Sequence, residues 1–258
     1  MARPAARIEL NTATDEAIDG RHLRAIAFNS VRMQYVQELI ARLGVAPTGR
    51  SALVIGSVRG DLARDLATLG LRVTAADPSP VATGRARNRD RYPGREVRYE
   101  TADADDLNRL GGPFDLVYCA DTLEITDDLD RVIGAAASVL APGGVLFYDT
   151  VTRTPLGRIV YLGLFQKLPS TRIMPPGRYA AARLRRPEEV IEALRAHGLT
   201  SEDVRGFKPN NPVDLIKAVL ARRSGRISDD GVAPLVNFVL EKPGARPVVT
   251  YLGCARRA

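Results

Sequence analysis

Four stretches of this chain place glycines and carboxylates where a nucleoside-bearing ligand could be held. The first is the turn Val54-Ile55-Gly56-Ser57-Val58-Arg59-Gly60. A ligand approaches backbone closely only where side chains are absent, which is the use of Gly56 and Gly60 in such a turn. The second is Asp77, about twenty residues further on, a spacing at which a carboxylate can accept from both hydroxyls of a ribose. The third is Asp103, in Ala102-Asp103-Ala104-Asp105-Asp106-Leu107, where a carboxylate can accept from an adenine amino group. The fourth is Phe114-Asp115-Leu116-Val117, followed later by Leu140-Ala141-Pro142-Gly143-Gly144. Ile55, Gly56, Ser57, Gly60, Asp77, Pro78, Asp103, Ala104 and Cys119 are the candidate residues for this ligand. The same positions also have plainer uses: Asp77 suits the N-cap of a following helix, and Asp103 suits an acidic loop.

These residues need elements to position them. Apolar runs alternate with helical stretches through the centre of the chain. Strands are expected at 52–56, 72–77, 96–102, 114–120 and 145–150, with Pro78-Ser79-Pro80 opening a helix after the second. Such β-α-β-α alternation predicts a mostly parallel sheet with helices on both faces, a Rossmann-like α/β fold. Ligands in such sheets sit beyond the carboxyl ends of the strands, where Gly56, Asp77, Asp103, Cys119 to Glu124 and Asp149 to Arg153 fall. Ahead of the sheet, Met33, Val36, Leu39, Ile40 and Leu43 recur on one helix face, and Gly44 ends that helix. Beyond it, 152–186 mixes arginines with Leu156, Ile159, Val160, Tyr161, Leu162, Leu164 and Phe165, as an amphipathic lid over the sheet would. A helix over 187–197 is capped by Gly198, and a strand pair near 200–207 and 247–256 closes the domain. The stretch 208–246 reads as helical near 213–222 and is otherwise unassigned. The chain thus divides into a poorly ordered lead-in, 1–21, and a single domain, 22–258.

Composition narrows the classes. The chain has 258 residues, 45% hydrophobic and 26% charged, an ordinary globular balance for one α/β core. Lys plus Arg number 37 and Asp plus Glu 30, and nearly all the cations are arginine. A coding bias toward arginine accounts for this, as does attraction to an anionic surface. With no Trp and no basic stripe interleaved with aromatics, nucleic acid is not expected as a partner. Cys119 and Cys254 are too few for a disulfide framework or a zinc site and read as thiols in strands of a cytoplasmic protein. With only His22 and His197, no histidine metal site or triad is expected. No apolar run reaches the roughly 18 residues of a membrane span, and the N-terminus lacks a signal-peptide core.

On these motifs the chain resembles the class I S-adenosylmethionine (SAM) methyltransferases, and within them the ubiquinone-biosynthesis O-methyltransferases. The likeness runs from about residue 22 to 257. Ile26 to Arg32 is similar to that family's H-x-x-N-x-x-R entry segment, and Thr150-Val151-Thr152-Arg153-Thr154 to its T-x-N-R-T. The resemblance implies a seven-stranded sheet, SAM as cofactor, methyl transfer to a phenolic oxygen, and peripheral membrane contact through the insert, here 152–178. The departures are equally specific. Where the family has acidic-x-Gly-x-Gly-x-Gly, this chain has Val54 for the acid and Val58 for the middle glycine, and Arg59 is a further substitution. Where it has Glu-x-x-Glu-His, this chain has Asp121-Thr122-Leu123-Glu124-Ile125, and isoleucine ligates no metal. The family's K-G-T-H-D becomes Pro176-Gly177-Arg178-Tyr179-Ala180.

The expected reaction is O-methylation of a small hydroxylated aromatic or quinone-like compound in a biosynthetic pathway. Such an acceptor must lose a proton. Asp121 and Tyr179 are the candidate bases, with Glu124 orienting substrate or base; no metal is expected. Asp121 and Glu124 also suit a helix N-terminus, where carboxylates are favourable, and Tyr179 also suits packing within the insert. Two other readings follow from the departures: a repurposed fold catalysing a cyclisation or rearrangement, and a non-catalytic membrane-associated binding protein.

Overall fold

The computed structural model describes residues 7–90 and 97–258. In chain order the strands are β1 Ser51–Ile55, β2 Arg72–Asp77, β3 Val97–Thr101, β4 Phe114–Cys119, β5 Leu140–Val151, β6 Leu199–Pro209, β7 Phe238–Leu240 and β8 Thr250–Arg257. The helices are α1 Gly20–Arg42, α2 Asp61–Thr68, α3 Pro80–Arg89, α4 Leu129–Ser138, α5 Pro155–Arg158, α6 Pro187–Ala196 and α7 Pro212–Arg223. One sheet runs β3-β2-β1-β4-β5-β8-β6-β7. Strands β1 to β5 are parallel, and β8, β6 and β7 are antiparallel to their neighbours. The order reverses between β1 and β4, which sets the crevice for a ligand at their carboxyl ends.

The sequence explains most of this directly. Strand β1 is buried from Ala52 to Ile55, as a central parallel strand covered on both faces must be. Ser79 caps α3, accepting from the Ala82 amide at 3.2 Å, with Pro80 at the first helical position. Asp19 caps α1 through the amides of Arg21 and His22. On one face of the sheet, Phe28, Val31 and Tyr35 of α1 pack with Leu66, Tyr118 and Phe147. On the other, Ile133 and Leu194 from α4 and α6 pack with Leu53, Val117 and Tyr251.

Three features differ from the expectation. The sheet has eight strands rather than seven, because β7 adds a three-residue edge beside β6. Strand β5 starts at Leu140, not at 145, and runs through the Pro-Gly-Gly stretch. Residues 7–19, read as part of a loose lead-in, instead lie against the domain: Ile8 bridges Ile18, and Ala17 and Ile18 are buried. Residues 1–6 of that lead-in, and the start of the third strand at 96, lie outside the described residues. The insert folds as α5, a π-helical turn over Ile159–Leu164 and a short turn at Ala181–Arg183. Among the described residues no helix is long and apolar enough to cross a membrane.

Candidate active site

Helix α1 carries arginines in the same phase as its apolar stripe: Arg21, Arg24 and Arg32 are buried along with Phe28, Val31 and Tyr35. A guanidinium goes inside only if carboxylates meet it there. They come from the ends of β4 and β5. Arg24 Nε lies 2.6 Å from Asp121 Oδ1, its Nη1 pairs with Glu124, and its Nη2 is 3.5 Å from Asp149 Oδ2. Arg32 Nη2 reaches Asp121 at 2.7 Å and Asp149 at 2.8 Å. All five groups are buried. Asp121 adopts φ +50°, a left-handed conformation that a non-glycine residue rarely takes. That strain, of about 1–3 kcal/mol, turns the carboxylate at the end of β4 toward the arginines.

Two guanidinium groups face three carboxyls, so one carboxyl is left without a full counter-charge. Burial pushes Glu124 up to about 7; Arg24 pulls it down, and the neighbouring Asp121 and Asp149 carboxylates add to the rise. Burial also raises Asp149 against the pull of Arg32. Asp121 is different: burial opposes its charge, but Arg24 and Arg32 together hold it below the usual carboxylate range. Thr150 Oγ1 donates to Glu124 Oε2 at 3.2 Å. Among the described residues no group of three or more His, Cys, Asp or Glu is arranged to hold a metal ion.

Beside this cluster lies a cavity of about 530 Å³, lined by Leu23, Ala27, Phe28, Tyr161, Phe165, Phe207 and Phe238, with the insert contributing Ile173 and Met174. Arg24 and Tyr179 bring polar atoms into this apolar wall. The Tyr179 hydroxyl accepts from Arg24 Nη1 at 3.3 Å, and its ring meets Tyr161 edge to face at 5.0 Å. Burial raises the Tyr179 hydroxyl's pKa despite the nearby Arg24 charge, so it stays protonated. Leu156 and Val248, both about half exposed, stand at the rim.

The candidate cofactor residues gather at the ends of β1, β2 and β4, but they are spoken for. Gly56 takes φ +71° and lies so close to β4 that a Cβ there would stand 2.2 Å from the Ala120 carbonyl oxygen. A Cβ on Gly60 would stand 2.6 Å from the Tyr99 ring. Both glycines therefore answer to packing as seen here. Val58, where the family has glycine, is buried at φ +51°. Asp77 is fully buried, and both its oxygens are engaged twice. Oδ2 accepts from the Val58 amide at 2.9 Å and Arg21 Nη2 at 2.6 Å; Oδ1 accepts from the Ser79 amide at 3.0 Å and Arg21 Nη1 at 3.1 Å. An ionised carboxylate has about four acceptor positions, so none remains for a ribose. In this conformation the residues do not fit SAM.

Of the other candidates, Ile55 and Cys119 pair directly across β1 and β4. Ile55, Ser57 and Cys119 are buried, while Pro78 and Asp103 are exposed and Ala104 is partly buried. Burial pushes the Cys119 thiol up to about 12. Of the expected catalytic residues, Asp121 and Glu124 sit together in the arginine cluster and Tyr179 joins them through Arg24. Sequence reading found the carboxylates Asp77, Asp121 and Glu124 but missed Arg21 and Arg24, the arginines that meet them. The available signal was arginine at helical spacing with the apolar stripe of α1, a pattern that a surface helix does not show.

The architecture is that of the class I methyltransferases, and comparison with known proteins agrees. A methyltransferase-domain family matches residues 52–144. The ubiquinone biosynthesis O-methyltransferase of Xanthomonas axonopodis pv. citri (strain 306) is 36% identical over 73% of this chain and 77% of the relative. That of Rhizobium leguminosarum bv. trifolii (strain WSM2304) is 30% identical over 78% and 85%. Among solved structures, the magnesium protoporphyrin IX methyltransferase of Synechocystis PCC 6803 with bound S-adenosylhomocysteine (SAH) shares the fold at TM-score 0.59. It is 17% identical, over 92% of this chain and 86% of that one. A putative sarcosine dimethylglycine methyltransferase from Galdieria sulphuraria aligns at TM-score 0.60 and 15% identity over 89% and 86%. The chain belongs to the ubiquinone-biosynthesis O-methyltransferase family of SAM-dependent methyltransferases.

Proposed function

We propose that the protein methylates a ring hydroxyl of a small hydroxylated aromatic or quinone-like compound held in the apolar cavity. The observation that carries this reading is the cavity itself: apolar and aromatic walls, with the Arg24 guanidinium and the Tyr179 hydroxyl meeting beside the carboxylate cluster. Apolar ring faces fill such a space, and the few polar groups fix orientation.

The roles of the chain's own residues follow from their charges. Arg24 faces the acceptor oxygen and stabilises negative charge developing there. Tyr179, protonated, donates to that oxygen and is not a base. Asp121, held ionised by two arginines, is a weak proton acceptor and positions Arg24. Glu124, raised to about 7 behind Arg24, is the carboxyl matched to hold the acceptor's proton near neutral pH. The exposed Leu156, Ile159 and Leu168 of the insert favour peripheral membrane contact through 152–178. Flotation with anionic liposomes checks this, and a protein that stays at the bottom of the gradient removes it.

The test is mass spectrometry of reactions containing SAM and a panel of catechols and hydroquinones with and without apolar tails. A product heavier by one methylene unit is expected from the tailed acceptors. Binding of these rings without any such product would sink the reading. It would favour the repurposed fold instead, to which the engaged Asp77 and the Val54 and Val58 substitutions point.

A further inference from the structure

We propose that Arg21 is a latch on the cofactor site: it occupies the two outward acceptor positions of Asp77, and the ligand's ribose must displace it to bind. This deepens the methyltransferase reading and rests on it. The four contacts to Asp77 are of two kinds. Two come from backbone amides, Val58 and Ser79, which belong to the turn after β1 and the start of α3. They stay whatever Arg21 does. The other two come from the Arg21 side chain alone. Remove it, and Asp77 is left with two unused acceptor positions, the number that a pair of ribose hydroxyls requires.

Arg21 is also placed to move. It lies in the first turn of α1, two residues past the Asp19 cap, where only a few intrahelical bonds need to break. A cation is disfavoured at a helix N-terminus, so Asp77 rather than the helix holds it there. The segment before it is tied down by side chains rather than by sheet. Asn11 accepts from Arg21, Arg59 lies 3.4 Å from Asp19, Arg85 donates to the Thr12 carbonyl at 3.1 Å, and Arg222 donates to the Ala17 carbonyl at 2.7 Å. Arg59, the substitution in the glycine turn, thus has a use: it fastens the strap. The strap also touches the acceptor side. A Cβ on Gly20 would stand 2.2 Å from the Ile173 carbonyl oxygen, so the backbone just before Arg21 packs directly against the insert that lines the cavity.

Calorimetric titration of SAH into wild-type protein and Arg21→Met tests the latch. Methionine keeps the unbranched apolar stem but has no group that can bond to Asp77. SAH should bind the variant at least tenfold more tightly than wild type. Equal or weaker binding by the folded variant overturns the latch. Should the variant not fold, hydrogen exchange on wild type with millimolar SAH decides: amides of 11–24 should exchange several-fold faster while those of 56–60 slow. Unchanged or slower exchange over 11–24 overturns it equally. The two proposals fail separately. Tight SAH binding by Arg21→Met with no methylated product keeps the latch and discards O-methylation; product formation with no gain in SAH affinity does the reverse.

Discussion

The two ends of the crevice differ in what fills them. At the β1 and β2 end, the space beside Asp77 is taken by the chain's own Arg21 and walled by Val58, and the two Arg21 contacts to Asp77 are charged hydrogen bonds that a polar ligand could exchange. At the β4 and β5 end, the charges are equally buried but held in ion pairs with one another, and an apolar cavity stands open beside them. One half is a site held shut by replaceable polar contacts; the other is pre-formed. The difference teaches that burial of charge serves two purposes in one molecule. Around Arg24 it fixes geometry, because five charged groups on three elements are paired with one another. Around Asp77 it leaves an exchangeable partner on a strap.

The contrast can be broken most directly at Arg24. Arg24→Met leaves three carboxyls facing Arg32 alone, and loss of one member of a buried ionic network costs about 3–5 kcal/mol. Urea denaturation measures it, and a loss below about 1 kcal/mol would mean that the cluster does not hold this end rigid.

The next effect is on pH dependence. Glu124 is raised to about 7, so the folded state binds its proton more tightly than the unfolded chain. The stabilisation is fully present below the ordinary value of 4.5 and is lost as pH rises through about 7. It amounts to something on the order of 3 kcal/mol. Asp149, also raised, has the same sign; Asp121, held low, contributes stability above the ordinary carboxylate value that disappears in acid. Between about pH 4.5 and 7 wild type should therefore lose stability with rising pH, and Glu124→Gln should lose less. Parallel profiles for the two proteins would show that Glu124 ionises normally.

A smaller effect is expected at Gly56. Gly56→Ala forces a methyl against the Ala120 carbonyl at positive φ, a cost of about 2–3 kcal/mol. A thermal melt reads it, and an unchanged midpoint would show that β1 and β4 have room to part there. The smallest concerns the thiols. Cys119 and Cys254 are buried and raised by burial, so neither thiol should react with a thiol reagent until the protein unfolds. Rapid labelling of either in native protein would show that the strands holding them open locally.

The fold was legible because strand and helix periods and the Asp77 and Pro-Gly-Gly landmarks come in chain order. Strand β7 was not, since three residues are too few to show alternation. The halves of the site were unequally legible. Asp121 and Glu124 stood out as carboxylates at a strand end. Arg32 was visible as the last residue of a family motif, but Arg21 and Arg24 were hidden by an arginine-rich composition that made each look like solvated surface, and their partners lie far away in sequence. Val58 was visible as a substitution, but that Asp77 is met by Arg21 depends on the path of residues 11–21, which no local pattern encodes.

The most direct test of the account is a crystal structure of the protein with SAH. The account predicts both ribose hydroxyls on Asp77, Arg21 withdrawn from it, and the Arg24 cluster with Asp121, Glu124 and Asp149 unmoved. SAH bound with the Arg21–Asp77 pair intact, or with the Arg24 cluster rearranged in its place, would contradict it.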